Sequence, residues 1–268
     1  MGPGTRVLVP EPTFTLYALL TKVLGGEPVP AALGPELEYV PAELRALREA
    51  VTPAVTILCS PNNPTGSFAE PEDVASLCAQ DDGLVVVDEA YHEFAGSRWC
   101  RCWPTIRTWS VLRTFSKAMG MAGLRVGYLL ASPEIVREVN KARLPYNLNF
   151  FSQAAALGAL DAAGRAARAA WSGSWPTATS SSAGWRTSRA CGPTRRDANF
   201  ILFELADADP RVVFEPIYRR GVLVRDVSAR SACSRCLRVS VGSEEENEAF
   251  LRALRHALEE QRFRRAAP

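Results

Sequence analysis

The sequence predicts an α/β protein, and three stretches predict it. VTILC (Val55–Cys59), LVVVD (Leu84–Asp88) and VLRTF (111–115) are short apolar runs rich in β-branched residues, the pattern of parallel strands buried on both faces. Each run ends in turn-forming or reactive chemistry: SPNNPTG at 60–66, DEAY at 88–91 and Ser116-Lys117. In open α/β sheets the working residues sit at the carboxyl ends of the strands. Function is therefore expected at these three ends.

The other elements follow in chain order. A short strand covers 7–9, and EPTF (11–14) opens a helix through Val23, stopped by Gly25 and Gly26. A helix spans 43–50 with Leu44 and Leu47 on one face, and another spans 70–80 after the SPNNPTG turn. Beyond Lys117 come a strand at 126–131, a helix at 133–143, the turn PYNLN at 145–149 and the helix SQAAALGAL. From Ala198 the pattern is strand NFILFEL, a helix over 211–219, strand VLVRD and strand LRVSVG at 237–242. Ser243 with Glu246 is a capping-box pair that opens a last helix to about Arg262.

Composition narrows the function classes. At 268 residues and 47% apolar, the chain can bury a sizeable core in one large or two smaller domains. A net charge of +2 with two histidines argues against a nucleic-acid binder, which needs a clustered basic face. No apolar run reaches the ~20 residues that cross a bilayer, and MGPGTRVLVP lacks the order of a signal peptide. A cytoplasmic protein with no membrane partner is expected, its seven cysteines reduced. Cys233 and Cys236 form a CxxC without a second ligand pair, so no metal site is expected.

The chemistry centres on residues 113–128, RTFSKAMGMAGLRVGY. A lysine at a strand end beside a glycine-lined turn is desolvated readily, and such an amine can form a Schiff base with a carbonyl. Arg125 can fork two hydrogen bonds onto a phosphate. Asp88 closes an apolar strand, where a carboxylate is expensive unless paired. Taken singly these residues have plainer readings: Asp88 as a turn cap, Arg238 as a surface strand arginine, Phe14 as core. His92 is assigned no role.

In this order and spacing, SPNNPTG, DEAY, RTFSKAMGMAGLRVGY and LRVSVG resemble fold-type I aminotransferases that use pyridoxal 5′-phosphate. VDEAYHEFAG (87–96) and LPYNLNFFSQAAALGAL (144–160) are most similar to the histidinol-phosphate aminotransferases. The resemblance covers most of residues 7–258. It implies the aspartate aminotransferase fold, a mostly parallel sheet sandwiched by helices plus a smaller α+β C-terminal domain. Within it, residues 1–160 would be the large cofactor-binding domain, 161–196 an irregular segment and 197–268 the small domain.

The resemblance also implies the roles. Lys117 would be the catalytic lysine bonded to the cofactor. Asp88 would hold the ring nitrogen, Asn63 and Tyr91 the phenolic oxygen, and Phe14 the ring face. Thr114, Ser116 and Arg125 would hold the phosphate, and Arg238 the carboxylate of an amino or oxo acid. The partners would be an amino donor, a 2-oxo acid and a second copy of the chain. A threonine-phosphate decarboxylase-like lyase and a non-catalytic remnant are the alternatives.

Two departures from the family pattern stand out. The chain begins where the large domain should already be under way, without the arm and the first strand-to-helix turn. All six tryptophans fall in two windows, 97–109 and 171–196, the second without helical or alternating period. Out-of-frame translation of both windows would explain them.

Overall fold

The structure, a computed structural model, describes residues 2–80, 82–95, 107–171, 198–205 and 208–266. The two tryptophan windows lie outside the described residues apart from 107–109 and the backbone of Trp171, which ends a helix.

Six strands form the main sheet: β1 (Arg6–Glu11), β2 (Glu27–Ala32), β3 (Val55–Cys59), β4 (Leu84–Asp88), β5 (Trp109–Thr114) and β6 (Gly127–Ala131). Their order is β2-β1-β3-β4-β5-β6, all parallel except β6, which runs antiparallel to β5. Alternation sends successive side chains to opposite faces, and both faces are covered. Leu8, Leu58, Val85, Val87 and Val111 pack on α2 (Pro41–Val51) and α3 (Pro71–Cys78) through Leu44, Val74 and Leu77. Val7, Val9 and Cys59 pack on the other side with Tyr17 of α1 (Leu16–Val23).

Register positions the site. Cys59 pairs with Asp88, and Asp88 with Leu112, so β3, β4 and β5 end almost in step. The three motif turns are thereby delivered to one edge of the sheet.

The small sheet is antiparallel, in the order β7-β9-β8, from β7 (Phe200–Glu204), β8 (Arg225–Asp226) and β9 (Cys236–Ser240). Phe203, Leu237 and Val224 bury against α6 (Pro210–Arg219) and α7 (Glu244–Ala266) through Val213, Ile217, Phe250 and Leu254. The capping box at α7 is reciprocal: Ser243 N donates to Glu246 Oε2 (2.7 Å), and Glu246 N donates to Ser243 Oγ (3.3 Å). Between β6 and β7 in the chain come α4 (Pro133–Ala142) and α5 (Phe150–Trp171). Among the described residues no helix is long and apolar enough to cross a membrane.

Three elements differ from expectation. Strand β2, EPVPAA, was not foreseen because Pro28 and Pro30 cannot donate to a ladder. It is tolerated as the edge strand, paired among the described residues with β1 alone. Helix α1 begins at Leu16 rather than within 11–14, because β1 continues through Glu11 and the next four residues form the turn that carries Phe14. Strand β8 is two residues long, not five: Val222 and Val224 are apolar because they pack into the core, not because they pair.

Candidate active site

The site is assembled on the carboxyl edge of the main sheet and closed by the small sheet. Asp88 ends β4. Its Oδ1 accepts from Ala90 N at 3.0 Å and its Oδ2 from the Tyr17 hydroxyl at 2.7 Å. Burial pushes this carboxyl above its ordinary range, opposed by the Tyr17 bond, the Ala90 amide and the charge of Lys117. A carboxylate so buried is expensive without a cation beside it.

Lys117 stands in the turn after β5, with Nζ 5.3 Å from the centroid of the Tyr91 ring. Tyr91 is buried and meets Phe200 of β7 edge-on, centroids 5.0 Å apart. The Arg238 guanidinium lies 4.7 Å over the Phe200 ring and is close enough to Tyr91 to interact with it. Arg238 then donates to Asn63 Oδ1 at 2.6 Å, which leaves the Asn63 amide to donate elsewhere. Lys117, Tyr91, Arg238 and Asn63 thus form one continuous wall, although Asn63 and Arg238 are 175 residues apart in sequence.

Thr114, Ser116 and Arg125 form a second group. Ser116 N donates to Thr114 Oγ1 (3.1 Å), and Thr114 Oγ1 to Val126 O (3.3 Å). Arg125 takes a left-handed conformation, φ 55°. Its guanidinium donates to Ala122 O at 2.8 Å and reaches Ser116 Oγ at 3.5 Å. Gly127 allows β6 to approach, since a Cβ there would lie 2.9 Å from Arg113 O. Phe14 is no core residue: it is 38% exposed, edge-on to Tyr17 at 5.6 Å. Eight of the nine residues named from the sequence end or adjoin strands at this edge, and the ninth, Arg238, reaches it from β9 of the small sheet through Asn63.

Several neighbours were not named from the sequence. Tyr17 was not singled out there; it falls within the helix expected through Val23. Arg230, in the loop between β8 and β9, donates to Thr13 O and lines a cavity of about 290 Å³ with Glu11, Thr13 and Thr15. Burial lowers the pKa of the Arg230 guanidinium, as do the charges of Arg225 and Arg238, while Glu11 pulls the other way. Arg238 is likewise lowered by burial and by Arg225, against Tyr91. Arg238 Nε is buried without an acceptor among the described residues. A desolvated arginine cluster with an unused donor is built for an anion. Behind the site Glu89 is fully buried and accepts from Arg113 Nε at 2.6 Å. An acidic residue beside Asp88 carried no signal of that pairing.

Comparisons with known proteins identify the family and the fold. The family model for aminotransferase class I and II matches residues 1–254. Histidinol-phosphate aminotransferase 2 of Nitrosococcus oceani is 38% identical over 265 residues, 95% of this chain and 70% of that protein. Histidinol-phosphate aminotransferase of Streptomyces avermitilis is 38% identical over 97% of this chain and 70% of its own. Among solved structures, Sinorhizobium meliloti histidinol-phosphate aminotransferase in complex with pyridoxal-5′-phosphate superposes with a TM-score of 0.83. It is 23% identical, with 97% of this chain and 72% of that one covered. L-threonine-O-3-phosphate decarboxylase of Porphyromonas gingivalis shares the fold at TM-score 0.77 and 21% identity, over 96% and 78% of the two chains.

Proposed function

Because the chain belongs to the class I and II aminotransferases, we propose that it transfers an amino group from histidinol phosphate to 2-oxoglutarate with pyridoxal 5′-phosphate. One observation carries the reading: the buried Asp88 carboxyl feels the charge of the Lys117 amine at the sheet edge, beside Tyr91, Asn63 and Arg238.

The donor set fits the cofactor group by group. Asp88 would hold the ring nitrogen, Tyr91 and Asn63 the phenolic oxygen, and Phe14 one ring face. Thr114, Ser116 and Arg125 would hold the phosphate. When bound, pyridoxal phosphate supplies the electron sink for a carbanion at the substrate's Cα. Lys117 Nζ takes the proton from that Cα and returns it on the far side of the transfer. Tyr91 and Phe200 keep water from the face where the amine works. Arg238 orients the substrate through its anionic end, with Nε as the unused donor. Arg225 and Arg230 add positive charge beside the cavity, which suits a phosphorylated amine and a dicarboxylic oxo acid. The same reading makes the enzyme cytoplasmic and homodimeric, with exposed Leu144, Tyr146, Phe150 and Phe151 available to a second copy.

The test begins with purified protein and pyridoxal phosphate. A visible band that borohydride converts to a stable adduct on Lys117, absent in Lys117→Ala, is expected. Histidinol phosphate with 2-oxoglutarate should then yield glutamate, and O-phosphothreonine should release no carbon dioxide. Folded protein with no Lys117-dependent adduct overturns the reading and leaves a non-catalytic remnant of the family.

A further inference from the structure

Tyr17 joins an element that carries no motif to the residue on which the site depends. Its side chain is 8% exposed and its hydroxyl donates to Asp88 Oδ2 at 2.7 Å, across 71 residues of sequence. The second oxygen of Asp88 is held by Ala90 N. Two donors from different elements, the α1 helix and the turn after β4, therefore fix the plane of the carboxylate. Each oxygen accepts more than one bond, so a lone pair remains on each for a ring nitrogen.

We propose that Tyr17 is a positioning residue, whose hydroxyl orients the Asp88 carboxyl towards the ring nitrogen of the cofactor. The proposal rests on the pyridoxal phosphate reading above. Desolvation pushes Asp88 towards its neutral form, and a neutral carboxyl no longer favours a protonated ring nitrogen. Of the influences that oppose this, the Tyr17 bond is the largest, ahead of the Ala90 amide and the Lys117 charge. Tyr17 stays a donor throughout, because burial and the nearby Cys59 and Asp88 raise its own pKa far beyond the ordinary tyrosine range. Cys59 in turn is pushed up to about 12 by burial and by Asp88, so it stays a neutral thiol. The phenol is also held in place by Phe14, edge-on at 5.6 Å, and the backbone carbonyl of Tyr17 accepts from Thr21 Oγ1 at 2.8 Å. Among the described residues Asp88 thus has one phenolic donor, packed against Phe14 and among Val7, Val9 and Cys59.

The same region supplies the control. Tyr39 is a phenol of the same neighbourhood whose hydroxyl donates to Cys59 O at 2.6 Å, a backbone group rather than Asp88. Tyr17→Phe and Tyr39→Phe each remove one partly or wholly buried hydroxyl, so both should cost stability. Only the first should disturb the cofactor. Three quantities would be read for wild type and both variants: pyridoxal phosphate affinity of the apo-protein by fluorescence quenching, the pH at which the visible band of the loaded protein changes, and the urea midpoint without cofactor. Tyr17→Phe should weaken cofactor binding by about tenfold or more, the usual worth of a hydrogen bond to a charged group, and shift the spectral titration. Tyr39→Phe should leave both at the wild-type values.

A double-mutant cycle closes the argument: in an Asp88→Asn background, Tyr17→Phe should add no further loss of affinity. Wild-type affinity and titration in Tyr17→Phe would overturn the proposal. So would equal shifts in Tyr39→Phe, or additive losses in the cycle, because each would mean general loosening of the core. A wild type with no Lys117-dependent band would defeat the cofactor reading itself, and this proposal with it.

Discussion

At the scale of the residue, electrostatics behind the site make the clearest prediction. Glu89 has a fully buried side chain paired with Arg113. Burial nonetheless pushes its carboxyl from 4.5 up to about 6. His92, 3.7 Å from the same carboxylate, is pushed from 6.5 down to about 4 by burial and by the Arg113 charge. Folded Glu89 binds more protons than unfolded Glu89 between pH 4.5 and 6, so its contribution to stability is lost as pH rises through that window. Folded His92 binds fewer, so its contribution is lost as pH falls from 6.5 through 4. The two slopes oppose each other. Glu89→Gln removes the falling one, and its urea midpoint should climb more steeply than the wild type's from pH 4.5 to 6.5. The difference between the curves should reach up to about 2 kcal/mol across the window. Parallel curves would show that Glu89 does not titrate there.

At the scale of the element, the pairing of β5 with β6 carries the Thr114–Ser116–Arg125 group. Thr114 is opposite Gly127 in the register, and the space there is set by backbone: a Cβ at 127 would meet Arg113 O at 2.9 Å. Gly127→Ala must therefore push the strands apart at their functional end. A cost of about 1–3 kcal/mol is expected, as for overpacking, with weaker retention of pyridoxal phosphate on dialysis. Wild-type stability and retention would show that the strands part there without consequence. The prolines of β2 make the opposite point, since an edge strand survives missing donors that a central strand would not.

At the scale of the molecule, the two sheets meet through a few bonds, and these complete the site. Arg238 to Asn63, Arg230 to Thr13 O and the Tyr91–Phe200 ring contact all cross from one sheet to the other. Leu37, between β2 and α2, joins Leu202, Val227 and Cys233 in a shared apolar cluster. The cavity beside Arg230 exists only because of this apposition. Arg230→Ala should raise KM for histidinol phosphate about tenfold while changing kcat little, the signature of lost binding made equally in ground and transition states. A fall in kcat at constant KM, measured in steady-state kinetics, would instead place Arg230 in the chemistry.

The sequence by itself determined the local elements and named the groups proposed here as reactive. VTILC and LVVVD are strands at the residues their β-branched runs span, Ser243 and Glu246 cap α7, and Lys117 follows β5 as its motif requires. Periodicity, capping and turn chemistry act between neighbours a few residues apart, so they can be read along the chain. The tertiary structure alone decided which groups meet. Tyr17 and Asp88 are 71 residues apart, Asn63 and Arg238 175, Arg230 and Thr13 217. Partners at such separations are selected by the packing of both sheet faces and by loop closure, whose cost grows only slowly with length. No spacing in the sequence therefore encodes them.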